Sequence, residues 1–447
     1  MSYKTYEKYI DSNIEWFKNV PEHWNLIKIK HMINYYTNGA WGIEKQKDNN
    51  DIICIRIADF DYPKRTIQDV DYTIRNISLN SRLLLEPGDL LIEKSGGGEK
   101  QPVGRVVIFD KDLKATFSNF ICKIKIKDEY DSRFLCYMFN MLYSSRVNTK
   151  SIKQTTGIQN LDSYAYFDEI IAIPNILEQQ QIVYYLDKKT AKIDATISKN
   201  EELIELLEEK RVALINQVVT KGLNPNVTMK DSGVEWIGEI PKHWDISRLK
   251  FLINKNAQYG ANCEPEPDET KFDYRYVRIT DIDDDASLKD NIVYLCKEDA
   301  KGFVLKEGDI LFARSGATVG KTYLYDSSDG YCCFAGYLIR YVPNKLLLNP
   351  KYLLYFSFSK SYTEWIKIVS TQATIQNVSA DKYDNLIISL PCVDEQNKIV
   401  SFLDDKITNI NKSISKIQEN ITLLEEYKAS LIHHVVTGKI DIRGEKI

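Results

Sequence analysis

The residues from Ser315, SGATVGKT, lie one position short of a phosphate-cradling loop, in which backbone amides and a Lys hold the phosphates of a nucleotide. The pattern needs a Gly where Ser315 stands, and the TYLYD that follows reads as a strand instead of the required helix. Earlier in the chain VGRVVIFD takes the place of VGKTYLYD, so Lys321 and Thr322 are not a shared feature. PDETK from Pro267 offers the carboxylates and Lys of a metal-dependent nuclease. Such groups must converge from adjacent strands, whereas these share one acidic, solvated loop.

Metal and nucleophile chemistry find no better footing. The eight cysteines form no CxxC pair and the five histidines are scattered, so neither a zinc cluster nor a disulfide framework is expected. His23 and His243 occupy equivalent places in PEHW and PKHW, where packing beside Trp24 and Trp244 explains them. His433 and His434 lie near the end of a helix, where interaction with its dipole suffices. No NPPY-like tetrapeptide of amino-methyltransferases, GxGxxG cofactor loop or GxSxG elbow occurs. A chain without catalysis of its own is the expectation.

The remaining candidates are polar and loop-bound. Lys94, Ser95, Lys100 and Gln101 surround Gly96, Gly97 and Gly98, while Arg314, Ser315 and Thr318 surround Gly316. A cation, a hydroxyl and exposed glycine amides can hold phosphate, although a tight strand connection also needs Gly. Gln159-Asn160 and Gln376-Asn377 carry side chains able to pair bidentately with adenine in a major groove, or else to brace the next element.

These candidates come in pairs because the chain is a tandem repeat, which must be recognised before any local reading. DSNIEWFKNVPEHW from Asp11 returns as DSGVEWIGEIPKHW from Asp231, and LEPGDLLIEKSG from Leu85 returns as LKEGDILFARSG from Leu305. TGIQN from Thr156 returns as ATIQN from Ala373, and IPNILEQQQIVYYLD from Ile173 as LPCVDEQNKIVSFLD from Leu390. Each half reads as a β-rich module followed by a long helix. IICIRIADF, GDLLIEKSG, GRVVIFD and FICKIKI predict strands, as do YRYVRITDID, GDILFARSG and GYLIRYV. Short helices are expected around Phe134–Tyr143 and Pro350–Phe358. After Pro174 and Pro391 a helical period runs for about 43 residues without Gly or Pro, stopping at Gly222 and Gly438.

In the second long helix Leu403, Ile407, Ile410, Ile414, Ile417, Ile421, Leu424, Lys428, Leu431 and Val435 alternate steps of four and three. The matching register in the first is Leu186, Thr190, Ile193, Ile197, Asn200, Ile204, Leu207, Arg211, Leu214 and Val218. Such apolar heptads predict a coiled coil, and homologous halves related by a two-fold make its helices antiparallel, with a β-rich module at either end. Asn200, Arg211 and Lys428 in the seam would then disfavour other registers, or lie at its solvated edge. The expected fold class is α+β: two tandem repeats, each a β-rich domain followed by a long helix, the helices paired antiparallel. Domain boundaries are expected at 1–177, 178–222, 223–394 and 395–438, with a tail at 439–447.

Composition sets outer bounds. Hydrophobic residues at 43%, aromatics at 11% and charged residues at 27% suit a globular chain rather than a disordered one. A net charge of −4 excludes a uniformly basic nucleic-acid coat but permits a local basic patch. The charged amino terminus and the lack of any run of 18 apolar residues predict a soluble, reduced, cytoplasmic protein with no membrane contact.

VEWIGEIPKHW from Val234 with its partner IEWFKNVPEHW from Ile14, the two GD[IL]L strands, and the Pro-x-x-x-Glu-Gln-x-x-Ile helix starts at Pro174 and Pro391 together resemble the specificity subunits of type I DNA restriction-modification systems. The resemblance covers essentially the whole chain. It implies a subunit without catalysis that binds double-stranded DNA at a bipartite site, one half per β-rich target-recognition domain, with the helices as spacer and docking surface. It further implies two modification subunits that methylate adenine with S-adenosylmethionine and two restriction subunits that cleave with ATP and Mg. Those cofactors would belong to the partners and none to this chain. On this reading the stretches that differ between halves, about Asn38–Asn80 and Ala257–Lys301, read bases, and shared positions grip phosphate or pack. Arg56 and Arg278, in or beside those stretches, are candidates that both halves share. The competing readings are a coiled-coil scaffold that never touches DNA, and a nucleotide hydrolase built on the Gly320 loop.

Overall fold

The computed structural model describes residues 4–78, 80–155, 157–266, 274–370 and 377–445. The chain divides into two compact units, Met1–Lys199 with Asn420–Ile447, and Asn200–Glu419. Each unit holds one β-rich segment and one part of each long helix.

In the first unit the GDLLIEKSG segment becomes the strand Leu90–Glu93, and Leu90, Leu91 and Ile92 are fully buried because both faces of this strand are covered. It pairs antiparallel with Val106–Ile108 on one side and Ile121–Ile126 on the other, and the latter pairs antiparallel with Ile33–Asn38. The second unit repeats this order with Ile310–Ala313 flanked by Thr322–Leu324 and Leu338–Pro343, the last pairing with Ile253–Tyr259. Beside each sheet runs one parallel pair, Ala115–Phe117 on Asp51–Ile55 and Cys332–Phe334 on Tyr274–Val277. The Asp of each GD[IL]L turn is buried and meets a cation: Asp89 lies 3.2 Å from Lys125, and Asp309 lies 3.5 Å from Arg340. A buried carboxylate needs such a partner.

The long helices span Ile176–Lys221 and Val393–Val436. Their Glu-Gln pairs explain why they begin where they do. Glu178 accepts hydrogen bonds from Tyr6 Oη at 2.7 Å and Trp24 Nε1 at 3.2 Å and lies 2.8 Å from His23 Nε2, while Glu395 lies 3.0 Å from His243 Nε2. Gln179 donates to Pro174 O and accepts from the Asp131 N–H, and Gln396 does the same with Pro391 O and the Asn349 N–H. Asp131 and Asn349 in turn cap the helices Ser132–Ser144 and Pro350–Ser357. One Gln therefore ties each long helix to the short helix packed against the sheet.

Every position of the heptad register is buried or half-buried, and most of the residues between are exposed. Leu186, Ile193, Leu431 and Val435 join the core of the first unit; Val218 and Leu403 join that of the second. Lys428 Nζ meets Asp194 Oδ1 at 2.5 Å in the first unit, and Arg211 donates to Asn411 Oδ1 at 3.1 Å in the second. From 194 to 211 one helix advances as far as the other retreats from 428 to 411, which makes the pairing antiparallel. Two of the polar seam residues thus hold specific partners across the pair.

Candidate nucleic-acid interface

The two candidate loops are built on the same backbone frame. Ser95 pairs antiparallel with Asn160, and Ser315 with Asn377. The Leu161 N–H donates to Lys94 O at 2.8 Å, and the Val378 N–H donates to Arg314 O, also at 2.8 Å. Ser95 Oγ donates to Asn160 Oδ1 at 2.6 Å. Gly97 has φ +63°, and an added Cβ would lie 2.8 Å from Val103 N, so the first loop requires Gly there. Gln159 is buried, its Oε1 accepting from the Val103 N–H at 3.3 Å. Asn377 Oδ1 is buried without a partner among the described residues. Gln376, with Ala373–Gln376 and Thr156 of the repeated segments and the PDETK loop from Pro267, lies outside the described residues.

Around the first loop lies an open hollow of about 740 Å³, bordered by Ser95, Gly97, Lys100, Gln101, Arg105 and Ile57. Ile57 also borders a second hollow of about 360 Å³ with Trp41, Arg56, Asn119 and Phe120. The structure therefore brings Arg56, Ser95, Lys100 and Gln101 to one face, with Gln159 buried behind them. Glu93, Tyr62 and Arg105, which sequence reasoning passed over, form a linked group at this edge: Tyr62 Oη donates to Glu93, and the Arg105 guanidinium lies 3.5 Å from the Tyr62 ring centre.

Arg56 is held by Asp59, whose Oδ1 accepts from Nη2 at 2.8 Å and whose Oδ2 accepts from the Arg56 backbone N–H at 2.8 Å. Arg278 and Asp281 repeat the arrangement with Nη2 to Oδ1 at 2.8 Å and backbone N–H to Oδ2 at 2.9 Å. Each hydrogen-bonded carboxylate raises the pKa of its Arg and offsets its charge. Arg314 is different. Its guanidinium lies 4.8 Å from the centre of the Tyr259 ring, and its buried Nε has no partner among the described residues. Thr318 Oγ1 donates to Ser315 O at 3.2 Å, closing the second loop.

The competing chemistries fare worse. Lys321 donates to Ile282 O at 3.1 Å and lies 2.8 Å from Asp284, and Thr322 begins a strand, so the Gly320 turn lacks both the free Lys and the helix of a phosphate loop. Among the described residues no group of three His, Cys, Asp or Glu is placed to hold a metal ion. Burial first, then Lys439, lowers the pKa of both His433 and His434, which disfavours the cationic form that a helix C-terminus would attract.

Fold and interface together define a two-unit recognition protein in which each unit repeats one sheet, one cation-bearing loop and one share of a helix pair. Residues 21–206 and 241–423 match the type I restriction modification DNA specificity domain, and the chain belongs to that family of DNA target-recognition subunits, which are not themselves catalysts. It is 23% identical over 345 residues to the EcoBI specificity subunit of Escherichia coli, covering 72% of this chain and 71% of that one. Over 435 residues it is 21% identical to the MjaVIII specificity subunit of Methanocaldococcus jannaschii, covering 95% of each. Among solved structures, one chain from a study of complex assembly and conformational transition of the type I R-M system matches with TM-score 0.71 at 16% identity, covering 94% of this chain and 99% of that one. The HsdS subunit from Thermoanaerobacter tengcongensis matches with TM-score 0.55 at 17% identity, covering 94% and 98%. At these identities the structural likeness concerns the fold. No helix among the described residues is long and apolar enough to cross a membrane.

Proposed function

We propose that the chain reads a bipartite duplex, one half-site per unit, and presents it to partner subunits that carry the chemistry. The observation that carries this reading is the duplicated frame in which Ser95 bridges Asn160 and Ser315 bridges Asn377. It sets Lys94 and Arg314 at matching places in two units whose intervening segments differ. Lys94, Lys100, Arg314, Ser315 and Thr318 grip phosphate, with Ser95 and Gln101 beside them. Asn160, Asn377 and the neighbouring Gln159 and Gln376 supply amide groups or brace the loops. Arg56 and Arg278, tied to their Asp partners, orient the recognition face. Phosphate contacts of this kind fix register, while base edges give sequence.

The partners on this reading are two modification subunits using S-adenosylmethionine and two restriction subunits using ATP and Mg, with no cofactor held by this chain, acting in the cytoplasm. The paired helices set the gap between half-sites and offer the docking surface. A gel shift with bipartite and scrambled duplexes, with and without the modification subunit, tests the reading. Preference for one bipartite duplex supports it; indifference to DNA supports a scaffold role instead.

A further inference from the structure

In each unit an exposed aromatic ring is carried on a hydrogen-bonded turn beside the candidate loop. In the first unit Phe120 is the third residue of a turn closed by the Ile121 N–H on Ser118 O at 3.0 Å. In the second, Tyr337 is the third residue of a turn closed by the Leu338 N–H on Ala335 O at 2.9 Å. The carbonyl of Phe120 accepts from the Lys94 N–H at 2.8 Å, and that of Tyr337 from the Arg314 N–H at 3.0 Å. Behind the turns, the Ala40 N–H donates to Phe117 O and the Ala261 N–H to Phe334 O. Gly39 and Gly260 press so closely on these turns that an added Cβ would run into the carbonyls of Phe117 and Ser118 or of Phe334 and Ala335.

The rings themselves are left in solvent, Phe120 at 45% and Tyr337 at 61% exposure. An exposed ring costs hydrophobic free energy, and here it recurs in both units on a turn held by equivalent backbone hydrogen bonds from Lys94 and Arg314. Phe120 shares its hollow with a second exposed aromatic ring, Trp41, with Ile57 and Ala58, and with Asn119 and the Asp59-paired Arg56. Exposed aromatic side chains can wedge between base steps of duplex DNA and stack on a base there, and base faces are alike for all four bases.

We infer that Phe120 and Tyr337 are positioning residues that stack on a base at each half-site, independently of its identity, and fix where the recognition face sits along the duplex. This rests on the DNA-reading role proposed above. The test uses the full chain with its modification subunit and duplexes carrying the target defined by methylation mapping, with 2-aminopurine replacing each half-site adenine in turn. The wild type should change 2-aminopurine fluorescence at one position per half-site. Phe120→Ala should abolish the change in one half-site only and weaken binding about 5- to 100-fold, the range expected for one stacked base. Tyr337→Ala should do so in the other half-site. Phe120→Leu keeps apolar bulk without an aromatic face and should lose the signal, whereas Phe120→Trp should keep it; this pair decides the matter even if the alanine variant fails to fold. An unchanged signal and affinity in Phe120→Ala and Phe120→Leu would overturn the inference alone. Loss of association with the modification subunit but not of the signal would overturn it too, marking the ring as a protein contact. Failure of the wild type to bind any duplex would overturn both the inference and the DNA-reading role.

Discussion

Lys94 and Arg314 occupy one structural place with two chemistries. Both give their N–H to an exposed aromatic residue's carbonyl, and their carbonyls accept from the residue after Asn160 or Asn377. Their side chains are half-buried, and that of Arg314 stacks on Tyr259. A shared cation is suited to phosphate, because a group common to both units cannot by itself distinguish two half-sites. Changing both to Ala should weaken binding to all duplexes alike and reduce the slope of log affinity against log salt by about one to two. A change in which bases are methylated would instead make them sequence readers. Arg56 and Arg278 belong to another class, since buried Asp59 and Asp281 already satisfy them. Their pairing was invisible in the sequence because RIAD and RITD read equally well as strand ends. Phe120 and Tyr337 were also passed over. A single aromatic on a turn has no periodic signature, and only aligning FSNF from Phe117 with FAGY from Phe334 exposes it.

At the scale of elements, legibility followed burial. The strands Leu90–Glu93 and Ile310–Ala313 are apolar on both faces and stood out, as did the heptads of the long helices. Ile33–Asn38 and Ile253–Tyr259 lie at sheet edges and carry Asn, Tyr and Thr or Asn, Lys and Gln, so their pattern is too weak to read. The helix Lys360–Ser370 was missed because it follows the preceding helix after only two residues and has no counterpart in the first unit, where Val147–Ser151 forms a 3-10 turn. The Glu-Gln helix starts were legible as a repeat but not as a clamp. Gln396 is fully buried and serves three backbone groups, the Asn349 N–H and the carbonyls of Leu347 and Pro391. Gln396→Ala should therefore lower stability by about 3 kcal/mol in denaturant unfolding, since it leaves those groups unpaired. At the far end of the same helix, His433 has a folded pKa lowered by burial and then by Lys439. The unfolded chain then binds the proton better, so this stability is full above the ordinary His pKa of about 6.5 and is lost as pH falls through the lower folded value. Thermal unfolding between neutral pH and about pH 5 should show this decline, and His433→Asn should flatten it.

At the scale of the whole molecule, the chain carries one recognition module twice, and on the proposed function each copy takes one half of a split target. If the helices set the gap, one heptad inserted after Ile197 keeps the apolar seam in register and adds about 10 Å, equivalent to about three base pairs. Because the insertion is one-sided, the spacer should lengthen by about one to three base pairs while both half-sites keep their bases. The central claim is that each unit reads one half of a split target, and methylome sequencing of cells expressing this chain with its modification subunits tests it most directly. The account predicts one motif of two defined blocks around an unspecified gap. Replacing the Asn38–Asn80 segment with that of another member of the family should change one block and leave the other intact. A single continuous motif, or a replacement that alters both blocks together, would contradict it.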